Sequence, residues 1–434
     1  MMRSVSRICR AVRLGNRTMR SSFIESLHVR DFRQFDDLSV EFNSGFNFIA
    51  GPNGSGKTSI LACVAHALTH HSLEHSRASD TSEVFIDVSH KGDLLRVGLG
   101  KGSFTGHGYR TSSTKLWAAL PEAEGRKSVL SIETDKHAPD FSPLLLGAQR
   151  SLRYIQTQGM QREPLLVERR KQYRNNSVKH IFEESSSNVK QWLINRYFIV
   201  DKDWATTEKK NWQHFLSALP ALAPFDSNFE FVRIKSDMEP VFSIYGRECY
   251  LEELSSGFKA VLTIVARIIE WAEGTGEGEL AEIEKSVGSV LIDEIDVHLH
   301  PEWQFTLRDG MRQMFPNLQF IVTTHSPHVL ASARAGEVIA MPASVRGKCS
   351  IAPQPHSYSG WTTDQILTEV MGVRSLENKQ YELLVHQAFD CVEEKDSVGL
   401  KSIIGRLRSI AHPDDAIVKV LDVRLASIIL TEND

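Results

Sequence analysis

Eight consecutive residues, Gly51-Pro-Asn-Gly-Ser-Gly-Lys-Thr58, constrain this chain more than any other feature. They fit the pattern G-x-x-x-x-G-K-[ST] without a mismatch. A short apolar run, Phe46–Ala50, precedes them and reads as a strand. The stretch Thr58–Leu68 comes next and reads as a helix. Strand, glycine loop and helix, in that order, make the setting in which backbone N–H groups wrap a phosphate. Gly51, Pro52, Asn53, Gly54, Ser55, Gly56 and Ser59 form the expected cradle. Lys57 reaches the outer phosphates, and Thr58 offers a hydroxyl to Mg²⁺. The helix N-terminus adds a field that favours an anion. The expected ligands are ATP and Mg²⁺, and the expected fold class is α/β.

Three further motifs come in the order such a site needs. Val290-Leu-Ile-Asp293-Glu294 is an apolar strand ending in an acidic pair. Asp293 is placed to hold Mg²⁺, and Glu294 to orient or activate the attacking water; the competing reading is a strand end followed by a solvated acidic turn. Leu254-Ser255-Ser256-Gly257 lies 36 residues before Asp293 and opens a helix expected over 258–272. A serine hydroxyl and a glycine N–H at a helix N-terminus suit an anion, although Ser-Ser-Gly is also ordinary loop chemistry. Thr323-Thr-His325-Ser-Pro327 ends a second buried strand, 31 residues past Glu294. A histidine there can sense a terminal phosphate or serve structure alone. Asp296, His298 and His300 also admit a metal-site reading, but His-x-His without a third well-placed ligand is a thin case.

The rest of the sequence sets the frame. The 434 residues are 41% apolar and 24% charged, an ordinary globular balance, and the formal net charge of −4 does not mark a wholesale nucleic-acid binder. Five well-separated cysteines without a CxxC pair read as free thiols in a reducing cytoplasm. No apolar stretch reaches the roughly 18 residues of a membrane span. Arg3, Arg7, Arg10, Arg13, Arg17 and Arg20 recur at steps of three or four. They read as a transit-type peptide or DNA-binding arm, or as a disordered tail with Met19 as the working start. Residues 163–218 show helical spacing without a sustained heptad, so a compact helical insertion is expected rather than a long coiled coil.

Taken together, the motifs over residues 23–330 resemble the RecF/SMC-like branch of the ABC ATPases. Leu254–Gly257 is similar to the ABC signature, Asp296 to the D-loop position and His325 to the switch histidine. Phe258 stands where many members carry Glu or Gln. The resemblance implies a P-loop NTPase with an ABC/SMC-type ATPase head, a helical insertion and a helical C-terminal tail. It divides the chain into a basic extension (1–22), an ATPase domain (23–335, with β-rich and helical insertions in 72–250) and a C-terminal helical region serving as partner interface (336–434). It implies a homodimer or higher oligomer that sandwiches ATP, with Ser255 and Gly257 of one copy closing over the nucleotide of the other. It also implies a Mg²⁺-sensing glutamine; Gln149 fits by position, and Gln156 and Gln158 compete. Arg33 and Phe35 in the first hairpin are the candidates for stacking on the base. More narrowly, Gly147-Ala-Gln-Arg150, Asp293–Pro301 and Gly360-Trp-Thr-Thr-Asp-Gln-Ile-Leu367 resemble ATPase subunits of Septu-type and retron-linked antiphage systems. That implies an HNH-type nuclease partner. The rival expectation is a DNA-repair or chromosome-maintenance ATPase that binds DNA itself. A transport motor is the weakest of the three.

Overall fold

The computed structural model of the chain describes residues 22–69, 78–105, 113–114, 119–130, 141–150, 154–157, 159–169, 189–275, 279–373 and 379–432. The arginine-rich extension up to residue 21, Gln158 and the stretch 170–188 lie outside the described residues. Two compact units emerge, Met1–Gly372 and Val373–Asp434.

In the first unit, β1 (Ser22–Phe32) and β2 (Phe35–Glu41) form a hairpin, and β3 (Phe46–Ala50) leads into the glycine loop and α1 (Lys57–Leu68). Then come β4 (Ala78–His90), β5 (Asp93–Leu99), the short β6 (Phe104–Thr105) and β7 (Ser113–Thr114), β8 (Lys127–Val129) and β9 (Leu144–Leu146). The insertion supplies α2 (Val189–Ile199), α3 (Thr206–Ala218) and the antiparallel strands β10 (Glu230–Ile234), β11 (Pro240–Ile244) and β12 (Arg247–Tyr250). Helix α4 (Ser256–Glu273), β13 (Gly288–Ile292), α5 (Pro301–Met314), β14 (Leu318–Thr323), α6 (Pro327–Ser332), β15 (Val338–Ala340) and β16 (Lys348–Ile351) complete the unit.

Two sheets organise it. The central sheet runs β15-β3-β14-β13-β9 and is parallel throughout. Its strands read as unbroken apolar runs because both faces are covered. Alternation assigns Ile49, Leu145, Leu291, Ile321 and Ile339 to one face, where they meet α1 and the second sheet. Phe48, Leu146, Val290, Ile292, Phe320 and Val322 take the other face, where they meet α4, α5 and the insertion helices. The second sheet, β16-β2-β1-β4-β5-β8, is mainly antiparallel. Helix α1 lies between the two sheets and buries every residue but Thr58.

One expected boundary needs correction. Residues 336–434 do not form a helical region from their start, since β15 pairs with β3 in the central sheet and β16 pairs with β2 at the edge of the other. Strands of three and four residues carry too little periodicity to be told from loop. The helical part is the second unit, where α7 (Lys379–Glu394), α8 (Ser397–Ile410) and α9 (Ala416–Glu432) enclose a core including Leu384, Leu400, Leu407 and Leu421. Among the described residues no helix is long and apolar enough to cross a membrane.

Candidate nucleotide site

The glycine loop leaves the C-terminal end of β3 in a conformation that its glycines make accessible. Gly54 and Gly56 have φ of 79° and 100°, in the region that disfavours residues with a side chain. A Cβ at Gly56 would lie 2.7 Å from Phe35 Cζ, so the hairpin ring fills the space beneath the loop. Phe35 is 2% exposed and belongs to the core, which removes it as a base-stacking surface. Burial of the whole hairpin face, invisible to local sequence, is the reason. Arg33 sits half-buried at the hairpin turn with φ of 56°. Its neighbour Gln34 clamps the loop instead, donating to Gly54 O at 3.1 Å and accepting from Ser59 Oγ at 3.3 Å.

Lys57 Nζ lies within the loop, donating to Gly51 O at 2.9 Å and Pro52 O at 3.1 Å. Burial pulls its pKa below the ordinary lysine value, against the attraction of Glu294, Asp293 and Asp296. Thr58 Oγ1 donates to both carboxylate oxygens of Asp293, at 3.0 and 3.1 Å. The two residues expected to share a cation, 235 positions apart in sequence, are therefore in direct contact. A hydroxyl facing a carboxylate beside a loop of backbone N–H groups is an oxygen-rich donor set that fits Mg²⁺.

Asp293 comes directly after β13 and is held from three sides. Its N–H donates to Leu146 O at 2.9 Å, and Thr323 Oγ1 donates to its Oδ1 at 2.6 Å. Glu294 has φ of 47°, a left-handed conformation that costs a residue with a side chain about 1 kcal/mol. Its N–H donates to Thr323 Oγ1 at 2.7 Å. Arg150 Nη2 donates to Asp293 O at 2.9 Å and also to Glu294 O. Burial lowers the Arg150 guanidinium to about 10, opposed by Asp293, Asp296 and Glu294, so it stays charged at neutral pH. Gln149 is exposed just past β9, the strand beside β13. Gln156 is exposed on an irregular stretch.

Asp296 Oδ1 accepts from Thr324 Oγ1 at 2.6 Å and from the His325 N–H at 3.2 Å. Asp296 thus holds the turn that carries the exposed His325. His298 and His300 are also exposed.

Ser255 and Ser256 are exposed at the start of α4. Gly257 is buried, and a Cβ there would lie 2.9 Å from Trp303 Cζ3 and 3.0 Å from His298 O. Phe258 packs against Phe229 and Trp303, with ring centroids 4.6 and 4.5 Å away. The departure at Phe258 is therefore a core choice. Helix α4 runs beside β9, where Trp271 Nε1 donates to Ser142 O at 2.9 Å. The glycine loop leaves β3, three strands away in the sheet order. The other end of α4, where Ser255–Gly257 lie, meets Trp303 and the His298 carbonyl instead.

A family model for the AAA domain (AAA_23) matches residues 26–254, more than half of the 434-residue chain. The chain belongs to this AAA-domain family. This AAA-domain protein is 26% identical over 420 residues to the Septu protein PtuA of Bacillus thuringiensis, covering 93% of this chain and 98% of that protein. The retron Ec83 probable ATPase of Escherichia coli is 29% identical over 184 residues, which is 40% of this chain and 32% of that protein. RecF of Francisella tularensis subsp. novicida (strain U112) is 37% identical over 71 residues, covering 16% of this chain and 19% of that protein. Among solved structures, an SMC head bound to the C-winged helix domain of ScpA has a TM-score of 0.45 at 16% identity, covering 76% of this chain and 98% of that one.

Three supports of the site have roles that the motifs did not assign. Thr323 bridges Asp293 and Glu294, and only its place in the Thr-Thr-His run hinted at it. Met341, just past β15, packs against Gly51, where a Cβ would lie 2.6 Å from Met341 O. Gly372 has φ of 68°, and a Cβ on it would lie 2.6 Å from Pro52 Cγ. The Gly360–Leu367 motif leads to this contact through Ile366, Val370 and Met371, all in the core. Gly372→Val is expected to cost about 1–3 kcal/mol through overpacking and to displace Pro52. Thermal melts with and without ATP check this: the melting temperature falls and the ATP-induced rise shrinks.

Proposed function

We propose that this AAA domain binds and hydrolyses ATP between two copies of itself, and that the ATP-loaded state governs a partner effector, an HNH-type nuclease in antiphage defence. The contact of Thr58 with Asp293 carries the reading, because it joins the phosphate-cradling loop to the acidic strand end. The exposure of Ser255 and Ser256 at the start of α4 supports a second copy as the partner of this turn. Similarity to PtuA over nearly the full length of both chains supports the defence assignment.

In this reading Gly51–Ser59 wraps the phosphates with backbone N–H groups, and Lys57 moves from the loop carbonyls to the outer phosphates. Thr58, Asp293 and Gln149 would hold Mg²⁺, which supplies positive charge to the transferring group. Glu294 orients the attacking water and accepts its proton. His325 and the partner copy's serine-glycine turn donate to the terminal phosphate. Catalysis comes from positioning and charge stabilisation.

Purification of the complex from its native host, with mass spectrometry of co-eluting chains and ATPase assays with and without duplex DNA, tests the assignment. A co-eluting HNH nuclease and turnover indifferent to DNA are expected. No nuclease, together with DNA-stimulated turnover that falls steeply with salt, would favour the RecF-like reading in which the chain binds DNA directly.

A further inference from the structure

We propose that Arg150 is a positioning residue that sets the carboxylate of Glu294 and ties it to the loop carrying Gln149. This rests on the hydrolytic reading above. Glu294 occupies a left-handed backbone conformation at the end of β13, with φ of 47°. Such a residue keeps its side-chain direction only if its flanking peptides are pinned. Both are. Its N–H donates to Thr323 Oγ1 at 2.7 Å, from the end of β14 on one side. Its carbonyl accepts from Arg150 Nη2, which comes from just past β9 on the other side. The same nitrogen donates to Asp293 O at 2.9 Å, so one guanidinium group spans the two consecutive carbonyls of the acidic pair.

The chemistry of the group fits this task better than a generic packing role. Arg150 is 8% exposed, and among the described residues its Nη1 is buried without a hydrogen-bond partner. A buried cation with an unused donor is a poor way to stabilise a fold, since leaving a buried polar atom unpaired is costly. One charged donor nitrogen that reaches both carbonyls of the acidic pair is a good way to fix their geometry. The sequence adds a second consequence. Gln149 is the adjacent residue and is exposed, whereas Arg150 points inward. A displacement of the Gln149 backbone on nucleotide loading moves the anchor of Glu294 at the same time. Occupancy of the site and readiness of its base are thereby coupled through one peptide bond.

The test is steady-state and single-turnover ATP hydrolysis by the full chain carrying Arg150→Met, Arg150→Lys, Glu294→Gln and the double change Arg150→Met/Glu294→Gln. Arg150→Met is expected to lower kcat roughly 10²-fold, the scale of a small misplacement of a reacting group, while KM for ATP stays within about threefold. Arg150→Lys, which keeps a charged donor for bonds that one nitrogen makes, is expected to recover at least about tenfold of that loss. In the double variant the two losses overlap and do not multiply, because both act on one group. Wild-type kcat in Arg150→Met, a multiplicative loss in the double variant, or a rise in KM alone would overturn the proposal. If Arg150→Met melts far below the wild type, the Lys variant and its own double with Glu294→Gln decide between the same outcomes. A wild-type chain that binds ATP without turning it over would remove the hydrolytic reading itself, and this role with it. Wild-type turnover with unaffected Arg150 variants would remove only this role.

Discussion

Glu294→Gln is expected to cut ATP turnover by about 10²–10⁴-fold, the usual contribution of a positioned general base, with ATP affinity nearly unchanged. The reason is local. The amide is isosteric with the carboxylate, so the left-handed residue and its bonds to Thr323 and Arg150 persist. Asp293, Thr58 and Lys57 are untouched, so the groups proposed to hold the phosphates and Mg²⁺ remain. What disappears is the acceptor for the water's proton. Nucleotide binding measured by a fluorescent analogue, beside phosphate release, separates the two effects. Equal turnover in wild type and variant would assign the proton acceptor elsewhere.

Lys57→Met is expected to act in opposite directions on binding and on stability. In the proposed nucleotide-bound state the ammonium would make charge-assisted hydrogen bonds to phosphate oxygens, each contributing about 1.5–3 kcal/mol. Losing two of them lowers ATP affinity on the order of 10²-fold or more. In the free protein the same ammonium is disfavoured. Burial holds its pKa below the unfolded value, so the folded state resists the charged form. Linkage gives the sign. The penalty is fully present at neutral pH and is relieved as pH rises from the lowered folded value to the ordinary lysine value. Removing the charge is therefore expected to raise the melting temperature of the ATP-free protein at pH 7 while abolishing the further rise on adding ATP. A variant less stable than wild type without ATP would show that the bonds to Gly51 O and Pro52 O outweigh the burial penalty.

What could be read from the sequence was what is local. The glycine loop is eight contiguous residues whose spacing encodes one backbone path, and the structure places it between β3 and α1. Asp293 and Glu294 were legible because an unbroken apolar run ending in two acids matches a buried parallel strand that meets solvent at its end. The contact between Thr58 and Asp293 needed only the expectation that both reach one cation. Residues whose role comes from distant partners were not legible. Phe35 looks available in a hairpin, but the β1–β2 face packs under Gly56, and no local pattern states that. Gly372 supports Pro52 across 320 positions of sequence. The strands β15 and β16 fall inside the expected helical tail because three or four residues give no period. Phe258 departs from the family pattern for a packing reason that only its ring neighbours reveal.

The central claim is that one chain holds the triphosphate and its twin closes over it. Sedimentation of Glu294→Gln with Mg²⁺ and ATP, over a wide range of protein concentration, tests it directly when repeated with Ser255→Arg added. The expected result is an ATP-dependent step in assembly, at least from one chain to two, that the exposed Ser255 change abolishes while each chain still binds ATP. Saturated ATP binding with an unchanged mass at every concentration, or assembly indifferent to Ser255→Arg, would contradict it.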